Sequence, residues 1–266
     1  MSYDAELAFA KELALEAGGI MQQYFRSEEL NTTWKSDKTP LTVADTTINK
    51  LVIERVKAKF PEHGVLGEEE SYEPDRDWVW VCDPIDGTVP FSVGIPASTF
   101  LLALVDRADG QPVAAVVYDP YLGHLYTATK GGGAFLNDQP LKGSATKHMS
   151  PGYVSIYGGA AKRDKIDYHP GQLLDDLREN GTRNISLASG AYTFVKIAEG
   201  TFLAGVIGEP GFAWDVAAPC LIVREAGGIV TDLAGSQRRF DENGFGCVFA
   251  ANKSIHQQML ALIKGD

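Results

Sequence analysis

The chain has little cysteine, no paired cysteine motif and no long hydrophobic run. Its 266 residues include three cysteines, Cys82, Cys220 and Cys247, and none belongs to a CxxC pair. An odd number at wide spacing excludes a disulfide framework and a zinc ribbon, and favours buried thiols in a reducing compartment. No stretch reaches the ~18–20 apolar residues that span a membrane, and the N-terminus lacks the pattern of a signal peptide. We therefore expect a cytoplasmic protein.

Several common catalytic signatures are also missing. The five histidines are scattered, without the H-E-x-x-H spacing of a zinc protease. No G-x-S-x-G sequence marks a hydrolase nucleophile. The triglycine 131–133 is not followed by Lys-Ser or Lys-Thr, so it is not a P-loop, and we predict a tight turn there.

The composition is that of an ordinary globular protein with a strongly acidic balance. Hydrophobic residues make up 44% and charged residues 22%, which excludes disorder and collagen-like repeats. The 24 basic and 35 acidic residues leave a net charge of −11. Such a chain repels nucleic acid and anionic membranes on average, so we expect neither as a partner. An anionic small substrate needs local compensation, which a bound cation supplies.

The first half of the chain predicts two helices followed by antiparallel strands. Apolar residues three or four apart predict helices over 4–25 and 45–60, with Asp45 as the N-cap of the second. Four short apolar runs separated by turn residues predict strands at 78–82, 99–105, 113–118 and 124–129. We predict that these runs form an antiparallel meander.

The second half predicts an alternation of strands and helices, which is typical of layered α/β folds. The predicted strands are 153–157, 202–207, 229–231 and 247–250, and the predicted helices are 171–180, 189–199, 215–226 and 254–264. We predict two closely fused halves in one compact unit. An α+β half over 1–150 carries the candidate metal-binding motifs, and an α/β half covers 151–266.

The unusual residues of the sequence are carboxylates at the ends of predicted elements. Asp83 and Asp86 follow the strand at 78–82, three glutamates at 68–70 follow another apolar stub, and Asp215 begins a helix. Taken singly, each is also typical of a turn, a helix cap or a solvated run. Taken together, with no Cys or His ligand pattern, they form a set of hard oxygen ligands that suits Mg²⁺ or Mn²⁺.

The segment 82–88, CDPIDGT, adds an anion-binding element to these ligands. The turn at Pro84 lets the two aspartates and the Ile85 carbonyl point to one side. The next two residues, Gly87 and Thr88, offer free amide N–H groups where a helix begins, and such a terminus attracts a phosphate. Metal ligands beside a phosphate cradle indicate metal-assisted transfer of a phosphoryl group to water.

Three blocks in order, 67–69 (GEE), 80–88 (WVCDPIDGT) and 214–218 (WDVAA), followed by 225–228 (EAGG), resemble the inositol monophosphatase family. This is the Mg²⁺-dependent, lithium-sensitive phosphatase superfamily that also includes fructose bisphosphatases. The similarity covers residues 35–228. It implies a layered αβαβα sandwich of the inositol monophosphatase/fructose-bisphosphatase type, with the site between the two halves, and a homodimer.

The resemblance also implies a set of metal ligands. One ion is held by Glu68, Asp83 and the Ile85 carbonyl, and a second by Asp83, Asp86 and Asp215. Two or three Mg²⁺ ions are expected, with Mn²⁺ as a substitute.

The resemblance also implies residues that act on the attacking water, residues that bind the phosphate, and a loop that lies over the site. Asp45 and Thr88 orient and deprotonate the attacking water, and the amides of Gly87 and Thr88 bind the phosphate. Lys35 corresponds to the family's mobile loop over the site. Glu68 directly follows the glycine of its motif, so it is preferred as ligand and catalytic residue over the two glutamates after it.

Contacts to the substrate come from another part of the chain. The turn at Ser189 and Gly190 resembles the turn that contacts inositol hydroxyls in the family, and Asp86 is expected to contact the substrate with it. Glu209 resembles an acid that accepts a hydrogen bond from a hydroxyl or amine of the substrate. Residues 89–90, Val-Pro, stand where the family usually has a polar residue and an Asn, and proline is tolerated in the first turn of a helix, so we expect the amides of Gly87 and Thr88 to be kept but not the side chain of that Asn. Histidinol phosphatases of the superfamily tend to have an acid near Gly190, and its absence here favours a polyol phosphate.

The resemblance therefore predicts a Mg²⁺-dependent phosphomonoesterase that acts on inositol monophosphate or a similar polyol or sugar phosphate. Alternatives within the superfamily are histidinol-phosphate phosphatase, fructose-1,6-bisphosphatase and adenosine 3′,5′-bisphosphate phosphatase. The alternative of a different class is a non-catalytic regulatory protein that keeps the fold and works through partners. The acidic net charge disfavours RNA as such a partner.

Overall fold

The structure, a computed structural model, describes residues 2–157, 169–187, 189–208, 211–244 and 246–265. The helices in these ranges are α1 Asp4–Tyr24, α2 Val43–Lys59, α3 Thr88–Ser92, α4 Pro170–Glu179, α5 Gly190–Ala198, α6 Ala213–Glu225 and α7 Lys253–Lys264. The six helices predicted from periodicity lie within two residues of these bounds, and the short α3 is additional. None of the helices in these ranges is both long and apolar enough to span a bilayer.

Residues 64–140 build a seven-stranded sheet in the order β3-β4-β5-β6-β7-β8-β9. Its strands are β3 Gly64–Gly67, β4 Trp78–Asp86, β5 Thr99–Asp106, β6 Gln111–Asp119, β7 His124–Thr129, β8 Gly133–Leu136 and β9 Gln139–Pro140. β3 and β4 are parallel and all later neighbours are antiparallel, which confirms the predicted meander. Gly131 and Gly132 of the triglycine lie in the predicted turn between β7 and β8, and Gly133 begins β8. A separate hairpin pairs β1 Thr33–Trp34 with β2 Pro40–Leu41.

Residues 152–250 build a five-stranded mixed sheet in the order β11-β10-β12-β14-β13. Its strands are β10 Gly152–Tyr157, β11 Thr182–Asn184, β12 Ala204–Ile207, β13 Ile229–Thr231 and β14 Cys247–Ala250. β10 is parallel to both of its neighbours, and β14 is antiparallel to both of its neighbours.

Helices and sheets alternate in five layers. α1 and α2 pack on one face of the first sheet, α5 and α6 lie between the two sheets, and α4 and α7 cover the second sheet. The middle layer is apolar on both sides because both of its faces are buried. In it, Phe194 of α5 stacks on Phe249 of β14 with ring centroids 4.0 Å apart. The predicted αβαβα sandwich is confirmed.

The start of α2 differs from the prediction. Thr42, not Asp45, is the N-cap, and Asp45 is the third residue of the helix. The two form a capping box, because the Thr42 hydroxyl accepts from the Asp45 N–H and Asp45 Oδ2 accepts from the Thr42 N–H at 2.8 Å. The prediction of Asp45 as N-cap is therefore wrong, since a side chain one turn earlier satisfies the helix end.

Two other element boundaries also differ from the prediction. β4 does not end at Cys82 but continues to Asp86, so both aspartates belong to the strand rather than to a turn after it. α6 begins at Ala213, which places Asp215 inside its first turn rather than at its start. Pairing with β5 continues β4 past Cys82, and the Asn243 side chain accepts from the Ala213 N–H at the start of α6.

Candidate active site

A bulge at the end of β4 sets the direction of its two aspartates. Asp83 pairs with Leu101 and Asp86 with Thr99, so β4 holds one more residue than β5 across this interval. The extra residue bends the strand. Both aspartates are buried, and Asp83 Oδ1 accepts a hydrogen bond of 2.9 Å from the Ile85 N–H. The bulge, rather than a simple turn, keeps the two carboxylates within electrostatic reach of each other.

Asp45 and Thr88 meet beside this bulge. Thr88 Oγ1 lies 3.4 Å from Asp45 Oδ1 and 3.2 Å from the Ile85 carbonyl oxygen. The capping box fixes the other Asp45 oxygen. Burial raises the pKa of Asp45 to about 7, hydrogen bonds from Thr42 lower it in part, and the nearby charges of Glu69 and Glu68 add to the rise. A carboxylate with a near-neutral pKa beside a hydroxyl is suited to take up a proton.

The glutamates after β3 divide into two that face inward and one that faces outward. The Glu68 N–H donates to the Cys82 carbonyl at 3.1 Å, which places Glu68 beside β4. Lys35 Nζ lies 2.7 Å from Glu68 Oε1 and 2.6 Å from Glu69 Oε1. Burial lowers the pKa of Lys35, but these two contacts outweigh it and raise the pKa above its usual value. Glu70 is exposed. The predicted loop residue Lys35 therefore reaches the candidate ligand.

The N-terminus of α5 binds Asp86. The hydroxyl of Ser189, which is the N-cap of α5, donates to Asp86 Oδ2, and the Ala191 N–H donates to the same oxygen at 2.8 Å. The Gly190 N–H also favours the charged form of this carboxylate and lowers its pKa in part. Burial raises the pKa of Asp86 to about 6, while these donors hold it lower than burial alone would. The predicted residues Ser189 and Gly190 thus meet the predicted ligand Asp86.

Asp215 approaches the same cluster from the first turn of α6. The Phe212 N–H at the helix start favours the charged form of its carboxylate and lowers its pKa in part, and part of its surface stays open to solvent. Its surroundings of protein atoms raise its pKa well above the usual value, and the charges of Asp86 and Glu68 raise it further. An acidic residue in the first turn of a helix is stabilised by the exposed N–H groups there.

The turn after β4 gives α3 its start. Gly87 is the N-cap of α3 with φ of +91°, a left-handed conformation that favours glycine. Pro90 lies in the first turn, where its missing N–H has no helical partner to lose. The Val-Pro departure from the family pattern therefore leaves this helix start intact, and Val89 is exposed beside it.

Repulsion between the carboxylates shows that they form one cluster. The pKa of Asp83 is raised well above its usual value by burial first, and then by the charges of Glu68, Asp86, Asp215 and Asp45. These groups offer only oxygen donors and an excess of buried negative charge, which is the chemistry that a hard divalent cation satisfies. Within the described ranges, no three His, Cys, Asp or Glu side chains are arranged so that they hold a metal ion directly. Their oxygens instead contact protein donors, Glu68 through Lys35 and Asp86 through Ser189.

Sequence reasoning missed two residues that fix the start of α6. Asn243 Oδ1 accepts from the Ala213 N–H at 2.7 Å, and the Arg238 guanidinium donates to the Gly211 carbonyl at 3.4 Å. No spacing links a loop at these positions to a helix some 30 residues earlier, so the sequence held no signal for them. Glu209, the predicted specificity residue, lies outside the described residues.

Comparison with known proteins gives the family of this site. A sequence model described as the inositol monophosphatase family matches residues 3–265. The chain is 34% identical to the histidinol-phosphatase of Chlorobaculum parvum, across 97% of this chain and 96% of that protein. It is 32% identical to the inositol-1-monophosphatase of Mesorhizobium japonicum (99% and 98% covered) and 31% identical to the Nus factor SuhB of Escherichia coli (98% and 96% covered).

Solved structures agree with the sequence comparison. An IMPase of Thermotoga maritima superposes with a TM-score of 0.85 at 25% identity, across 98% of this chain and 97% of that one. An inositol monophosphatase from Anabaena superposes with a TM-score of 0.84 at 25% identity, across 100% and 97%. Proteins of this superfamily are phosphatases that act on phosphoric monoesters, and they generally use divalent metal ions. The chain belongs to the inositol monophosphatase family.

Proposed function

We propose that this protein hydrolyses small phosphate monoesters with the help of Mg²⁺, by attack of water on phosphorus. The observation that carries the proposal is one cluster of carboxylates, Asp45, Asp83, Asp86 and the partly exposed Asp215, whose pKa values are raised by burial and by nearby negative charges that include Glu68 at the edge of the cluster. Buried repulsion of this kind costs folding free energy, so it marks a site held for a positively charged group rather than for stability.

The cluster offers ligands for two ions, in line with the family resemblance. Glu68, Asp83 and the Ile85 carbonyl would hold one, and Asp83, Asp86 and Asp215 the other. Ions held in this way lower the pKa of bound water and stabilise the charge on the leaving oxygen of an ester.

Asp45 and Thr88 would handle the proton of the attacking water. The Thr88 hydroxyl lies between Asp45 Oδ1 and the Ile85 carbonyl oxygen. In our proposal Thr88 Oγ1 orients the water and the proton passes to Asp45 Oδ1, whose pKa of about 7 makes it an acceptor near neutral pH. The capping box holds this carboxylate in place throughout.

The phosphate itself would be bound by amides and by one lysine. The N–H groups of Gly87 and Thr88 lie at the start of α3, directly after the aspartates of β4. Lys35 brings a positive charge beside Glu68 and Glu69 on the hairpin side of the site. Together these groups offset part of the negative charge that otherwise repels a phosphate ester.

A further part of the proposal concerns the alcohol that is esterified with phosphate in the substrate. The sequence favours inositol monophosphate or a similar polyol phosphate, and relatives carry the names of inositol-1-monophosphatase, histidinol-phosphatase and Nus factor SuhB. The complete acid cluster supports an enzyme over a purely regulatory protein. Inhibition by Li⁺, a homodimer and a cytoplasmic location are further predictions that come from the family resemblance and the composition.

The test is phosphate release by the purified chain from inositol 1-phosphate, histidinol phosphate, fructose 1,6-bisphosphate and adenosine 3′,5′-bisphosphate. We expect turnover of at least one ester with Mg²⁺ or Mn²⁺, inhibition by Ca²⁺, and loss of turnover after chelation. Full activity after exhaustive chelation would refute the metal-dependent reaction. No release from any ester would favour the regulatory alternative.

A pair of variants separates the proton-handling role of Thr88 from metal binding. Thr88→Ala removes the hydroxyl, and we expect kcat to fall about 10²-fold with little change in Mg²⁺ affinity. Thr88→Ser keeps the hydroxyl and is the matched control, for which we expect most of the activity to remain. A large loss of Mg²⁺ affinity in Thr88→Ala, measured by calorimetry, would mean that Thr88 acts on the metal site instead.

A further inference from the structure

One amide side chain is buried on α2 among apolar residues. Asn49 is 1% exposed, and its helix neighbours Ile48 and Val52 are buried as well. Burying a carboxamide costs free energy unless its polar atoms form hydrogen bonds. Asn49 follows Asp45 by four residues, so the two side chains lie on the same face of α2, one turn apart. The face of the helix that carries the proposed proton acceptor therefore also carries this amide.

The amide of Asn49 contacts the bend that follows β3. Its Nδ2 donates to the Glu70 carbonyl oxygen at 2.9 Å. Its Oδ1 is buried against Gly67, because a Cβ at that position would lie 2.5 Å from Oδ1, closer than a carbon atom can approach an oxygen. Among the described residues this Oδ1 has no hydrogen-bond partner. The carboxamide therefore lies against both ends of the segment 67–70, and the segment needs glycine at its first position.

The candidate ligand Glu68 lies between these two contacts. The Glu68 N–H donates to the Cys82 carbonyl at 3.1 Å, and Gly67 pairs with Cys82 in the parallel register of β3 and β4. The backbone at Glu68 is thus held by β4 on one side and by the amide of α2 on the other. The carboxylate of Glu68 is only partly buried, and Lys35 contacts it from the β1–β2 hairpin. The direction in which this carboxylate leaves the backbone depends on the contacts of Asn49.

We infer that Asn49 is a positioning residue for the carboxylate of Glu68. The inference rests on the proposed function and deepens it, because Glu68 would hold one of the two Mg²⁺ ions. Asn49 would act through the backbone of residues 67–70 rather than on the ion itself. Groups that hold a metal ligand in place typically contribute about 10–100-fold to metal affinity. One helix would then carry the proton acceptor Asp45 and set the position of a metal ligand.

The chemistry of the position explains why an amide suits it. Aspartate would add a buried negative charge one turn from Asp45, and an ionised carboxylate has no proton to donate to the Glu70 carbonyl. An apolar side chain of the same shape would leave that carbonyl without its partner. Asparagine supplies the donor without a charge, so it holds the bend without adding to the repulsion within the cluster.

The test is a double-mutant cycle, measured by titration of Mg²⁺ into the purified protein by calorimetry. Glu68→Gln removes the carboxylate and identifies the binding event that depends on it. Asn49→Leu keeps the branched shape and a good helix former but lacks the donor, and we expect it to weaken the same event about tenfold. In the Glu68→Gln background the same substitution should change Mg²⁺ affinity by less than about twofold, because no carboxylate remains to be positioned.

Two further variants separate positioning from a general loss of stability. Asn49→Ala also removes the donor and introduces the best helix former, so it should weaken Mg²⁺ binding as Asn49→Leu does. Val56→Ala is the matched control, because Val56 is buried on the same helix two turns later. It should lower the melting temperature through lost packing and leave Mg²⁺ affinity within about twofold of wild type. Circular dichroism checks the fold of every variant.

The cycle gives the inference clear ways to fail. Unchanged Mg²⁺ affinity in both Asn49 variants overturns it, and so does the same loss of affinity with and without the Glu68 carboxylate. An equal loss in Val56→Ala, or failure of both Asn49 variants to fold, would mean that Asn49 serves only the fold. If wild type binds no Mg²⁺, the metal site and the inference fail together. Because the titration needs no turnover, failure to hydrolyse any ester refutes the proposed function, while the cycle still decides the role of Asn49.

Discussion

Two regions of this molecule bury aspartate side chains, and they treat the negative charge in opposite ways. Asp241 has a side chain that is only 2% exposed, and two arginines bind it: Arg239 at 2.8 Å and Arg107 at 3.2 Å. Asp83 and Asp86 are buried as well, but no lysine or arginine among the described residues forms an ion pair with either.

Under the proposed function, the difference separates an acid that maintains the fold from acids that are kept for a ligand. Asp241 joins the loop after β13 to the β5–β6 hairpin, and its charge is matched within the chain. Among the described residues, the lysine that forms an ion pair at the edge of the β4 cluster is Lys35, which binds Glu68, and the charge of Arg238 acts on Asp215 from further away. Burying unmatched charge costs free energy of folding. A bound cation offsets that cost, because it supplies the missing positive charge.

The largest effect expected from this comparison is the loss of turnover in Asp83→Asn. The variant removes one charge from the centre of the cluster, and we expect kcat to fall at least about 10³-fold, because charge stabilisation in the transition state depends on it. Phosphate release at saturating Mg²⁺ measures the effect, and far-UV circular dichroism checks the fold. Wild-type rates in the pure variant would remove Asp83 from the site.

Asp241→Asn should do the reverse, lowering stability while turnover persists. Two arginines lose their shared carboxylate, but both keep contact with water, so we expect a loss of about 1–3 kcal/mol in urea unfolding. Asp75→Asn is the matched control, because Asp75 also binds Arg107 yet its side chain is 94% exposed. That variant should lose about 0–0.5 kcal/mol. Equal losses in the two variants would contradict the distinction between buried and exposed partners.

Asp83→Asn should also make the chelated protein more stable, and more so as pH rises. Burial and like charges raise the pKa of Asp83 in the folded state above its unfolded value. The stability linked to this group is therefore present at low pH and is lost as pH rises and the carboxylate ionises. Asparagine carries no such penalty, so the melting temperature of the variant should exceed that of wild type by about 2–4 °C near pH 7. Thermal unfolding with chelator at pH 4.5 and pH 7 measures the gap, and a gap that narrows with rising pH would contradict this account.

The smallest effect is expected at an exposed ion pair on the helical face of the first sheet. Arg55 on α2 contacts Glu16 on α1 at 2.5 Å, and both side chains are largely solvated. We expect Arg55→Ala to leave both the unfolding midpoint and turnover unchanged within error, because water compensates both charges. A shift as large as that of Asp241→Asn would mean that burial does not decide the value of a pair in this protein.

Much of the fold could be predicted because it depends on local pattern. The periodicity of residues 4–25 and the turn sequences between the strands at 99–129 need no tertiary information to identify α1 and the meander. The N-cap at Thr42 was missed because Thr42 and Asp45 both carry a side-chain oxygen that can accept a backbone N–H at the helix end. Which of the two is the N-cap depends on the backbone conformation and not on residue type. The extension of β4 through Pro84 was missed because pairing with β5 continues across the bulge.

The same distinction between local pattern and tertiary contact applies to the candidate site. The motif residues Asp83, Asp86 and Asp215 were found from their sequence blocks, and the structure brings them into one electrostatic cluster. The frame from Arg238 and Asn243 was not found, since its contacts join segments far apart in the chain and follow no short motif. Contacts that depend on the packing of a distant loop are set by the whole fold and leave no periodic trace.

The capping box at the start of α2 restricts which residues can occupy position 45. One carboxylate oxygen of Asp45 closes the helix end with Thr42, and the other lies toward Thr88. Asparagine keeps an oxygen for the helix end but cannot accept the proton, and glutamate keeps the acid but extends its carboxylate by about 1.5 Å. Among the twenty amino acids only aspartate meets both demands. Selection for foldability alone would accept asparagine at this position, whereas the proposed role in proton transfer requires aspartate.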